Sequence, residues 1–87
     1  MNNPFLKMLL YKSSKTGILE NDLILGTFAQ RNLSSMSIGE LKQYDRMLYE
    51  NDWDIFHWII GKKTAPSEYN ELVLSIQKSM IENKSAF

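Results

Sequence analysis

Apolar residues in this chain recur at three and four residues in segment after segment and nowhere alternate with a period of two, which restricts the fold to helices. The clearest run is Tyr69, Leu72, Val73, Ile76 and Met80, one stripe over about three turns. Leu25, Phe28 and Ala29 repeat the spacing, as do Leu41, Tyr44 and Leu48, then Ile55, Trp58 and Ile59, while Phe5 and Leu9 lie one turn apart. Punctuation separates the runs. Pro4 suits the first helical position, and Ser37-Ile38-Gly39-Glu40 is a capping box, in which the serine oxygen accepts a backbone N–H and the glutamate reaches back. Asn51 or Asp52 can cap the next helix, Gly61 followed by Lys62 and Lys63 stops it, and Pro66-Ser67 opens the last. The spacing predicts helices over roughly residues 4–14, 19–31, 37–49, from 51 or 52 up to the stop at Gly61, and 67–82, with 83–87 a frayed tail. The expected fold is all-α, a small single-domain bundle of five short helices with its helical core over about 4–82. Gly26 inside the second helix predicts close approach of another helix there.

Between the first two helices lies Lys15-Thr16-Gly17-Ile18-Leu19-Glu20-Asn21-Asp22, where a basic apolar helix gives way to an acidic helix start. Gly17, the only glycine in the first 25 residues, can take the left-handed conformation that ends a helix. Glu20 and Asp22 fall in the first turn that follows, where the helix dipole favours carboxylates. Charge is polarised around this corner. Residues 1–16 carry Lys7, Lys12 and Lys15 with no acid, whereas residues 17–61 carry seven acids against Arg31, Lys42 and Arg46. A surface of that kind steers a protein partner better than it wraps nucleic acid.

Much chemistry is disfavoured by the same residues. With 87 residues there is no room for a cleft between two lobes, and with no cysteine there is neither a thiolate nucleophile nor a cysteine zinc site. The single histidine, His57, sits between Phe56 and Trp58 without the oriented partners that acid-base or metal work needs. No serine sits in a nucleophile elbow, and Thr16-Gly17 lacks the glycines of a phosphate loop. The formal net charge is zero, and the candidate recognition helices are acidic, which argues against a helix-turn-helix on DNA. Trp53, Phe56 and Trp58 are read as core aromatics rather than a stacking platform. No apolar run approaches a bilayer crossing, so direct membrane insertion is not expected. Neither a secretory signal nor an Arg-rich presequence precedes the first helix, which puts a bacterial cytoplasm first and the mitochondrial matrix second.

Leu9-Leu10-Tyr11-Lys12-Ser13, the run from Thr16 through Leu25, Tyr44-Asp45-Arg46 and Asn51-Asp52-Trp53-Asp54-Ile55-Phe56-His57-Trp58 resemble the succinate dehydrogenase flavinylation factors, over about residues 6–82. That resemblance implies a chaperone-like assembly factor, not an enzyme. It would bind the flavoprotein subunit of succinate dehydrogenase and promote covalent attachment of FAD to a histidine there. The FAD would be handled on the partner, with no cofactor bound stably by this chain, no catalytic or metal residues of its own, and a monomeric free state. The family's Arg-Gly-x-x-Glu hallmark maps onto Thr16, Gly17 and Glu20, so threonine replaces the arginine, and the adjacent Lys15 cannot supply a bidentate guanidinium contact. The expected partner-binding residues are Lys15, Thr16, Gly17, Glu20, Asn21 and Asp22, with Glu20 the leading contact, Gly17 giving shape and the others forming the rim. Asp52 and Asp54 match the family too and are assigned mainly to helix capping. A regulatory protein-binding module, such as a toxin-antitoxin component, is the alternative from another class.

Overall fold

Asn3 opens the first helix by accepting the Leu6 N–H at 3.1 Å, and Pro4 follows at a position where a missing N–H costs nothing. The computed structural model describes residues 3–82; the expected frayed tail at 83–87 lies outside them. Helix α1 (Pro4–Ser13) ends where the Ser14 N–H turns back to the carbonyls of Tyr11 and Lys12. Helix α2 (Leu19–Asn32) runs on into a 3₁₀ turn (Leu33–Ser35). Helix α3 (Ile38–Leu48) starts at the anticipated capping box, with the Glu40 N–H donating to Ser37 Oγ at 3.2 Å and the Ser37 N–H to Glu40 Oε1 at 2.9 Å. Asn51 caps α4 (Asp52–Ile59), accepting from the Trp53 and Asp54 N–H groups, and Gly61 stops it at φ 79°. A second 3₁₀ turn (Ser67–Tyr69) leads into α5 (Asn70–Glu82). Among the described residues there are five α-helices and no strand, so the fold is all-α.

The apolar stripes meet in one core. Leu9 of α1, Leu25 and Phe28 of α2, Tyr44 and Met47 of α3, Ile55 and Trp58 of α4, and Leu72, Val73 and Ile76 of α5 are all buried in it. Trp58 stacks on Tyr69, ring centroids 6.0 Å apart. Trp53 departs from the expectation of a wholly buried aromatic block. It is 57% exposed, and Phe56 only half-buried, because five residues along a helix turn about 140° and set Trp53 away from the face that carries Trp58. Gly26 packs as expected against the end of another helix, where an added Cβ would sit 3.5 Å from Ser14 Cβ.

Two hydroxyls are carried into this core with partners. Ser13 donates to the Leu9 carbonyl at 2.7 Å, so the 2.6 Å contact to Tyr44 is donated by the tyrosine. Burial pushes the Tyr44 phenol well above its ordinary value. Tyr69 is pushed up to about 12, first by burial and then by its bond to the Glu50 carboxylate. Both folded pKa values are raised, so the stability they contribute is present below the unfolded value near 10 and lost as pH rises through that of the folded state. The urea midpoint is therefore expected to hold level up to about pH 9.5 and to fall from about pH 10 upward, with a shallower fall in Tyr44→Phe. An identical alkaline fall in that variant would remove Tyr44 from the account.

Candidate functional site

The loop between α1 and α2 is shaped by a short carboxylate circuit. Asp22 Oδ1 accepts both the Thr16 N–H at 2.6 Å and the Thr16 hydroxyl at 2.7 Å, and the threonine oxygen accepts the Ile18 N–H at 3.2 Å. Neither Thr16 nor Asp22 therefore stands as a simple rim contact, because each is half-buried and engaged with the other. The Ile18 side chain is buried and offers no cap to α2, so the turn is held by Thr16 and Asp22.

The glycine at the corner differs from its sequence reading in mechanism. Among the described residues only Gly61 has a positive φ, so Gly17 does not use the left-handed region, and α1 ends through Ser14 instead. What excludes a side chain at 17 is a neighbour: a Cβ there would meet Asp52 Oδ2 at 2.6 Å. The Gly17 N–H donates to that same oxygen at 3.0 Å. Asp52 thus belongs to the corner rather than to the cap of α4, which Asn51 provides alone. Asn21, expected on the rim, is fully buried. Its amide donates to the Asp52 carbonyl at 2.9 Å, fastening the first turn of α2 to the first residue of α4.

Beside the corner lies a groove of about 480 Å³ lined by Tyr11, Lys12, Lys15, Thr16, Gly17, Leu48, Tyr49 and Asp52. Three of the six expected residues, Lys15, Thr16 and Gly17, line it, while Glu20, Asn21 and Asp22 do not. Glu20 is exposed on the first turn of α2, available to a partner approaching past the corner. Lys12 is committed within the domain, donating to Asp45 at 3.0 Å and to the Tyr49 hydroxyl at 2.8 Å. Those bonds, the one to Tyr49 foremost, hold its ammonium above the ordinary value. Lys15 is exposed, which leaves it as the cation presented at the groove edge. The exposed Tyr11 and Tyr49 side chains add flat apolar area of the sort that protein interfaces favour.

Sequence reasoning did not find Lys12, Leu48, Tyr49 or the corner role of Asp52. Asp52 lies 35 residues from Gly17, and a contact at that separation leaves no periodic trace. The one available signal was the pair Asn51-Asp52, since asparagine as the cap leaves the aspartate for another task. Among the described residues no group of three or more His, Cys, Asp or Glu side chains is placed to hold a metal ion, and no helix is long and apolar enough to cross a membrane.

A family profile described as "Flavinator of succinate dehydrogenase" matches residues 7–80. The "Succinate dehydrogenase assembly factor 2, mitochondrial" of Aedes aegypti is 44% identical over 77 residues, covering 86% of this chain and 48% of that protein. The protein of the same name from Danio rerio is 42% identical over 80 residues, covering 90% of this chain and 51% of its own length. A further relative, "Succinate dehydrogenase assembly factor 2-B, mitochondrial" of Drosophila willistoni, is 40% identical over 78 residues, 87% of this chain and 50% of that protein. The chain spans about half the length of these curated relatives. With the profile covering nearly the whole described bundle, the chain belongs to the succinate dehydrogenase flavinator family.

Proposed function

We propose that this chain docks on the flavoprotein subunit of succinate dehydrogenase and promotes covalent attachment of FAD to a histidine of that subunit. The bond-forming chemistry belongs to the partner and its flavin; this chain is a non-catalytic helper that holds no FAD stably and works by shaping or steadying the partner. The observation that carries the reading is the family match over residues 7–80, which includes the whole corner. The site geometry is compatible with it: Lys15 and Glu20, an exposed cation and an exposed carboxylate on either side of Gly17 in the sequence, can orient a partner of complementary charge. The relatives' names carry the word mitochondrial, which favours the mitochondrial location over the bacterial cytoplasm.

Co-expression with the succinate dehydrogenase flavoprotein of the same organism is expected to raise the covalent flavin fluorescence of that subunit in a denaturing gel. Glu20→Ala should remove most of that gain. The variant should stay folded, its melting temperature falling by only about 1 to 6 °C, since an exposed first-turn carboxylate contributes about 0.3 to 1 kcal/mol to its helix. Flavin incorporation that does not depend on the chain, with cognate partner and ample FAD present, would overturn the reading and favour a regulatory binding module.

A further inference from the structure

We infer that Asp52 is the positioning residue of the corner: its carboxylate sets where residues 15–18 lie, and position 17 is glycine because of it. The functional half of this inference rests on the proposed docking at the corner. Helix α4 does not depend on Asp52 for its start, because Asn51 Oδ1 accepts both the Trp53 and the Asp54 N–H. The Asp52 side chain is thereby free to reach across the fold to the Gly17 N–H at 3.0 Å, while its carbonyl takes the Asn21 amide at 2.9 Å. Two bonds thus fasten the loop and the first turn of α2 to a single residue of α4.

The steric side points the same way. A Cβ at 17 would meet Asp52 Oδ2 at 2.6 Å and Asp52 Cγ at 3.7 Å, and nothing else within 4 Å. Gly17 has no positive φ, so its backbone would accept an alanine. One carboxylate is the whole obstacle. It cannot swing clear of a side chain at 17 without giving up the Gly17 N–H, so bond and clash are two aspects of one arrangement. Asp52 also lines the groove, which makes the surface composite: the α1–α2 loop supplies its edge, and the start of α4 fixes that edge in place.

A thermal double-mutant cycle on the free chain tests the geometry without a partner. Gly17→Ala is expected to lower the melting temperature of the natural chain by roughly 2 to 6 °C, through displacement of Asp52. In an Asp52→Ala background the same change should leave it level or raise it, because alanine at an allowed φ restricts only the unfolded chain. Equal losses in both backgrounds would overturn the lock. For the positioning role, Asp52→Ala should weaken binding to the cognate flavoprotein by about ten- to a hundred-fold in titration calorimetry. Asp52→Asn, whose amide oxygen can accept the same N–H, should restore most of that affinity. Affinity unchanged in Asp52→Ala, or no recovery in Asp52→Asn, would overturn it. If the natural chain itself does not bind the flavoprotein, the proposed function fails, while the thermal cycle still decides whether Asp52 sets the corner.

Discussion

Trp58→Ala is expected to unfold the domain or leave it barely stable at room temperature. The ring is 7% exposed, stacks on Tyr69 at 6.0 Å between centroids, and sits where α4 meets α5. Removing a buried tryptophan takes away its transfer free energy and leaves a cavity that a rigid helical core fills poorly, a loss of about 3 to 5 kcal/mol. A small domain holds only about 5 to 15 kcal/mol in total. Far-ultraviolet circular dichroism through a urea titration measures the result, and a midpoint within error of the natural chain would remove Trp58 from the core. Trp58→Phe, which keeps an aromatic ring against Tyr69, should recover a large part of the loss.

The second large effect is expected in docking rather than folding. Gly17→Arg brings a Cβ within 2.6 Å of Asp52 Oδ2, breaks the bond that fixes the loop, and adds a long cation at the groove beside Lys15. Binding to the flavoprotein should be lost beyond detection, a change of more than about 2 kcal/mol of the kind seen when the centre of an interface is blocked. The free variant should stay folded, because position 17 is exposed and an added Cβ would meet Asp52 alone. Titration calorimetry alongside a thermal melt separates the two quantities. Full binding by a folded Gly17→Arg chain would exclude the corner as the contact surface.

How legible each of these features was in the sequence depends on how local its cause is. The Ser37–Glu40 box, the Gly61 stop and the α5 stripe are made by residues three or four apart, so their spacing is their structure. The importance of Gly17 was visible but its reason was not. A glycine between two helices suggests a left-handed turn, whereas the actual constraint comes from a carboxylate on a different helix. Asn21 misled for a related reason. A polar residue in the first turn of a helix is usually solvated, and only the tertiary meeting with the Asp52 carbonyl lets it be buried. The chemistry of Thr16 is local in sequence yet leaves no periodic mark, since its hydroxyl and N–H close a loop on Asp22 six residues later. Trp53 shows the limit of composition: two tryptophans in one short helix look alike in a list and face different surroundings in the fold.

That last contrast has a practical side. Indole emission shifts with the polarity around the ring, and α4 carries one indole in the dry core and another, 57% exposed, directly after Asp52. Chain unfolding will be seen through Trp58 as a red shift, while events at the corner will reach Trp53, the ring that an aqueous quencher can collide with. A single eight-residue helix therefore gives the domain two built-in optical channels, and loss of structure can be told from occupation of the surface without attaching a dye.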